Sequence, residues 1–101
     1  MIRQKEVAVS DAVLAFLRDS GLETPLLQYR LVQAWPEVVG EECARLSEAL
    51  EIRDEVLWVR VAVPALATEL QMRRSQLAAT LNARVGATLI RDIKFVNNWN
   101  S

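Results

Sequence analysis

The spacing of apolar residues changes period along this chain, and that change decides the class of fold. From Val13 to Val38 apolar side chains recur at helical steps of three and four. Between Leu50 and Val63 the step is two. Leu66, Leu70, Leu77 and Leu81 return to helical spacing, and Ile93 and Phe95 alternate once more with Asp92 and Lys94. A chain that reads helix, strand, helix, strand in this way needs a sheet with helices packed on it.

The punctuation between these runs sets the elements. Ser10 is placed to cap a first helix with its hydroxyl, and Gly21 ends it. Thr24-Pro25 reads as a second start, with Thr as cap and Pro at the first helical position. Leu27, Leu31, Trp35 and Val38 form one stripe on that helix. Pro36, inside the stripe, is expected to kink the helix or begin a fresh turn. Gly40 is expected to end the helix at positive φ, a turn that the β-branched Val38-Val39 cannot supply. Residues 41–46 can form a short helix.

Leu50 and Ile52 alternate with Glu51 and Arg53. Leu57, Val59, Val61 and Val63 alternate with Trp58, Arg60 and Ala62. Two such runs across Asp54-Glu55 predict a β-hairpin, of uncertain loop length because the turn lacks glycine. Pro64 opens what reads as one long helix, capped by Gly86. Residues 88–96 read as a closing strand that could pair beside either hairpin strand. The expected class is α+β, in the order α-α-(short α)-β-β-α-β, with a three-stranded sheet covered by helices on one face.

At 101 residues the chain has room for one domain, with its core between about residues 10 and 96. Hydrophobic residues make up 51% and charged residues 25%, the mix of an ordinary globular chain. There is no His, so imidazole-dependent nucleophiles and His-ligated zinc are excluded. Cys43 is the single cysteine and reads as an inert, buried thiol. Glu41-Glu42 and Asp54-Glu55 read as solvating groups rather than an acid–base pair. The chain contains no phosphate-cradling Gly-rich loop and no GxxG. Catalysis, cofactors, metals and small-molecule substrates are therefore not expected. Neither a secretory apolar stretch nor a membrane-spanning run is present, which suggests a cytoplasmic protein.

The formal net charge of −1 hides a segregation. Residues 31–55 carry seven carboxylates against Arg45 and Arg53, whereas residues 56–101 carry six basic groups against Glu69 and Asp92. Arg predominates among those six, as suits bidentate phosphate contacts. Arg73, Arg74 and Arg84 on the long helix are the expected nucleic-acid contacts, with Arg60, Arg91 and Lys94 on the sheet completing the patch. By helical geometry the three helix arginines lie on the flanks of the apolar stripe and need not converge. Trp35 reads as core. Trp58 faces away from Leu57 and Val59, either as cover for the far side of the sheet or as an exposed stacking surface. Trp99 sits in a polar tail and is either loose or a partner anchor.

The segment Trp35-Pro36-Glu37-Val38-Val39-Gly40 resembles the W-x-x-V-V-G signature of the DciA family (Dna[CI] antecedent). Residues 47–51 resemble that family's first strand, and Leu57-Trp58-Val59-Arg60-Val61 its L-x-V-x-V strand. Ala67-Thr68-Glu69-Leu70, Leu77 and Leu81-Asn82 resemble its long helix, and Val85-Gly86 with Ile93-Lys94-Phe95 its closing strand. The resemblance marks Trp35, Val39, Gly40, Leu70 and Phe95 as signature positions with structural roles. It implies a KH-like domain, binding to the DnaB-type replicative helicase and to DNA, assistance in helicase loading, and no catalysis. Many members carry a further basic or flexible extension. This chain stops soon after its last strand and is net acidic, so it reads as a stand-alone domain form. Two other readings compete: a KH-like module that binds nucleic acid elsewhere, such as structured RNA, and a protein-interaction adaptor that uses the acidic middle.

Overall fold

The computed structural model describes residues 11–97, so the Ser10 cap and the Trp99 anchor lie outside the described residues. Helices α1 (Asp11–Asp19), α2 (Glu23–Val39) and α3 (Glu41–Arg45) precede strands β1 (Ser47–Arg53) and β2 (Val56–Val61). Helices α4 (Pro64–Met72) and α5 (Arg74–Val85) lead to β3 (Asp92–Val96). The class is α+β and the element order is as expected, except in one place.

That exception is the long helix, which is two. Arg73 leaves helical geometry at φ −105° and ψ 9°, closing α4 and opening α5 at the same residue. Spacings of four, seven and four leucine steps fit a continuous helix equally well, so the stripe conceals the break. Helix α2 also starts earlier than expected. Its cap is Leu22, with no side-chain capping bond, and Pro25 falls within the first turn. Glu23 supplies the favourable negative charge at that end and pairs with Arg18 at 3.3 Å. The helix runs on through Pro36 to Val39.

Gly40 then adopts φ 95° and ψ 158°, a region open essentially to glycine alone. A Cβ there would meet no atom within 4 Å, so the demand for glycine comes from the backbone and not from crowding. Gly86 ends α5 in the left-handed region at φ 74°. The Gly86 N–H bonds to Ala83 O at 3.2 Å and the Ala87 N–H to Asn82 O at 3.2 Å, the paired bonds of a Schellman cap.

The sheet has the order β1-β2-β3. β1 and β2 are antiparallel, and β3 joins β2 in parallel, with Leu57 opposite Ile93 and Val59 opposite Phe95. A parallel neighbour requires a long crossover, which α4 and α5 provide. Arg53 opposes Val56, so the hairpin loop is the two residues Asp54 and Glu55, both at positive φ (52° and 65°). This is the backbone of a type I′ turn made without glycine.

β1 departs from strict alternation. Ala49 opposes Val59 and Glu51 opposes Trp58, leaving Leu50 as the extra residue of a bulge. Leu50 is exposed, and Ala49 and Ile52 pack on the core instead. Unbroken alternation from Ala49 would have turned Glu51 and Arg53 inward. The bulge resolves that conflict and sends Glu51 and Arg53 to the outer face, where Glu48 already lies.

The inner face of the sheet carries the core. Leu31, Leu57, Val59, Val61, Leu70 and Leu81 are wholly buried, and Trp35, Leu77, Ile90 and Ile93 nearly so. Trp35 packs 6.4 Å from the Phe95 ring, centroid to centroid. Its indole N–H donates to Ser47 Oγ at 2.9 Å, and that hydroxyl donates to Cys43 O at 2.7 Å. The buried ring is thereby satisfied at its one polar atom. Cys43 is half-buried against this cluster.

The closing strand is shorter than expected. It begins at Asp92, and the residues before it form a loop held by Asn82. Asn82 Oδ1 accepts from Leu89 N–H at 2.9 Å and Ile90 N–H at 3.1 Å, while Nδ2 donates to Ile90 O at 2.9 Å. This side chain anchors Ile90 in the core. No helix among the described residues is long and apolar enough to cross a membrane.

Candidate nucleic-acid interface

The fold brings the two oppositely charged segments together. Arg60 pairs with Glu48 across the hairpin, and Arg84 at the end of α5 pairs with Glu37 on α2. Arg91 lies 3.6 Å from Glu55 at the hairpin turn, and Arg74 lies 3.2 Å from Asp92 at the start of β3. Three of these pairs join the acidic middle of the chain to its basic end, and Arg74–Asp92 lies within the basic end itself. All four pairs lie at the surface, where such contacts contribute about 0–1 kcal/mol each.

The six cations expected to bind nucleic acid fall into separate groups. Arg73 and Arg74 stand at the α4–α5 junction. Arg84 stands ten residues further along α5, about 15 Å away at 1.5 Å per residue. Beside it, Tyr29, Arg30, Gln33 and Glu37 of α2 line a groove. Arg60 and Lys94 lie on the outer face of the sheet, with Arg91 at its rim. Arg73 and Lys94 have no carboxylate partner among the described residues.

The outer face has the only aromatic ring on the sheet's exposed side among the described residues. Trp58 lies in the central strand, opposite Glu51 on one side and Lys94 on the other. The Arg53 guanidinium lies over its ring at 4.5 Å and the Lys94 ammonium at 5.5 Å, both within cation–π range. Arg53 also reaches Glu51 at 3.2 Å. Trp58 is half-buried beneath these groups. Its Nε1 is screened from solvent and has no acceptor among the described residues. Arg53, Asp54, Val56, Trp58, Arg91 and Lys94 line a shallow depression of about 230 Å³ at this end of the sheet.

Sequence reasoning missed Arg53, which it assigned to the acidic segment. Alternation with Ile52 already puts Arg53 on the outer face; the missing signal was the two-residue turn, which sets Arg53 opposite Val56 and so beside Trp58. The signature positions take interior roles. Trp35, Val39 and Leu70 are buried, Phe95 is half-buried against them, and Gly40 makes the turn after α2. Among the described residues no group of three His, Cys, Asp or Glu is placed to hold a metal ion.

Three relatives align over most of this chain. A UPF0232 protein of Streptomyces avermitilis is 31% identical over 90 residues, covering 87% of this chain and 50% of the relative. A UPF0232 protein of Streptomyces coelicolor is 32% identical over 90 residues, covering 87% and 47% respectively. One of Rhodococcus jostii is 30% identical over 80 residues, covering 79% and 43%. The chain thus spans about half the length of the relatives it matches. The family model described as "Dna[CI] antecedent, DciA" matches residues 8–95, and with β1, β2, the Trp35 core and the Gly40 turn all falling inside that match, the chain belongs to the DciA family.

Proposed function

We propose that this chain is a non-catalytic accessory protein of DNA replication, acting in the cytoplasm, that binds the DnaB-type replicative helicase and DNA and assists helicase loading. The observation that carries this reading is the family match, which extends over residues 8–95 and so covers every helix and the sheet up to Phe95. A loading factor must hold a protein and a nucleic acid at once. The molecule offers distinct surfaces for each: exposed apolar side chains on α1 and α2, and cations with an aromatic ring on the outer sheet face.

The test is reconstitution with a DnaB-type helicase. The protein is expected to co-elute with the helicase and to raise its unwinding of a forked DNA. Co-elution without stimulation would leave an interaction adaptor. That second reading draws on the four arginines already matched to carboxylates, which lower the positive field available to a polyanion. Salt separates the two readings, because phosphate contacts weaken with a log–log slope near −0.9 per contact on duplex DNA. Binding of the helicase with no DNA affinity at low salt would favour the adaptor.

A further inference from the structure

We propose that the outer face of the sheet, centred on Trp58, is a binding platform for single-stranded DNA, and that Glu48 and Glu51 compete with phosphates for its cations. The proposal rests on the DNA-binding part of the function proposed above and assigns that activity a place and a strand form.

Three features of the face favour a single strand. First, it is an open strand surface with an aromatic residue in the central strand, and exposed bases stack on such rings with little regard to sequence. A duplex keeps its bases stacked inside and offers the ring nothing. Second, Arg53 lies on the ring at 4.5 Å, and a guanidinium plane stacks a base as an aromatic ring does. Base, guanidinium and indole can form one stack without Arg53 leaving the site. Third, Lys94 is held near the same ring, has no carboxylate partner among the described residues, and is exposed on the strand next to Trp58. It is placed to take a phosphate beside a stacked base.

The indole Nε1 adds a further reason. It is a donor with no acceptor among the described residues. A base carbonyl or phosphate oxygen that shifted the Lys94 ammonium aside would give it one.

The carboxylates explain why a face with these cations is not strongly basic. Glu51 holds Arg53 at 3.2 Å, and Glu48 holds Arg60. Both glutamates are more than half exposed, so exchange of a carboxylate for a phosphate costs little. The protein's own glutamates thus act as low-affinity occupants of the phosphate positions, and the site binds DNA only moderately.

The test is a titration at low salt of the full chain with a fluorescently labelled dT oligomer of about 15 nucleotides. A duplex of equal length and poly-glutamate serve as competitors. The single strand is expected to bind more tightly than the duplex. Trp58→Ala is expected to weaken it by roughly five- to a hundredfold, the value of one stacked base. Lys94→Gln, at an exposed position, is expected to reduce the salt slope by about 0.7, one phosphate contact on a single strand. Glu51→Gln and Glu48→Gln are each expected to tighten binding, by up to about fivefold. Trp58→Phe keeps the ring and is expected to retain most of the affinity, which separates loss of stacking from loss of fold. Equal affinity of wild type, Trp58→Ala and Lys94→Gln would overturn the proposal while leaving DNA binding intact. Preference for duplex, or displacement by poly-glutamate as efficient as by unlabelled single strand, would also overturn it. A wild type that binds no DNA would overturn this platform and the DNA part of the function, while helicase co-elution would still stand.

Discussion

Helix α1 and strand β2 are both rich in apolar residues, yet they meet opposite fates. In β2, Leu57, Val59 and Val61 lose all contact with solvent. In α1, with Val13, Leu14, Phe16 and Leu17, no residue is buried, and Phe16 remains 66% exposed. Further along the arm that α1 makes with the start of α2, Leu22 and Tyr29 are exposed as well. The α2 side chains that enter the core begin at Leu31. An apolar stripe is thus a demand for cover and does not say where the cover is. β2 finds it in the cluster that α2, α4 and α5 complete, whereas among the described residues α1 packs on α2.

The comparison can be broken most forcefully at the core. Trp35→Ala removes the largest buried side chain and leaves Ser47 Oγ without its donor. The expected loss is about 3–5 kcal/mol, read as a fall in the denaturant midpoint. An unchanged midpoint would refute the core assignment.

The next test lies at the loop that Asn82 anchors. Asn82→Ala strips the partners from Leu89 N–H, Ile90 N–H and Ile90 O. Each unsatisfied group costs about 1–3 kcal/mol if it stays buried, and relaxation of the loop will lower the sum to roughly 2–3 kcal/mol. Hydrogen exchange is the sharper readout. The Leu89 and Ile90 amides should lose protection ahead of the β2 amides, and equal loss everywhere would mean that the loop is no separate unit.

The smallest effect is expected in the arm. Phe16→Ser should change stability by no more than about 0.5 kcal/mol, as at other exposed positions. Amides of α1 should exchange through local opening well below the global unfolding free energy. A loss comparable to that of Trp35→Ala would erase the distinction between arm and core.

These contrasts also mark what the sequence could carry. Periodicity was sufficient for the class, the order of elements and the inner face of β2, because burial imposes a spacing on residues close in the chain. It could not show the break at Arg73, since Leu70 and Leu77 keep the same stripe on either side. The turn at Asp54-Glu55 was ambiguous because two non-glycine residues take positive φ there, against the usual preference. The bulge at Leu50 follows from a contest between Ala49, Ile52 and the charges between them, settled only when β2 is in place. For the candidate interface the difficulty was greater. Segment-by-segment counting separated an acidic stretch from a basic one, whereas pairing in space joins Glu37 to Arg84 and Glu48 to Arg60.

The parallel pairing of β3 with β2 has a consequence for how the chain is made. The hairpin partner of β2 lies two residues away across a turn, but its other partner arrives only after residues 62–91. Closing the longer connection costs more entropy and comes later. During synthesis, therefore, Leu57, Val59 and Val61 are already aligned in a hairpin while Ile90, Ile93 and Phe95 have yet to emerge. That interval is when the nascent chain is most exposed to self-association. Glu48, Glu51, Asp54 and Glu55 crowd the same hairpin, and their mutual repulsion between copies acts as a gatekeeper for the unfinished sheet.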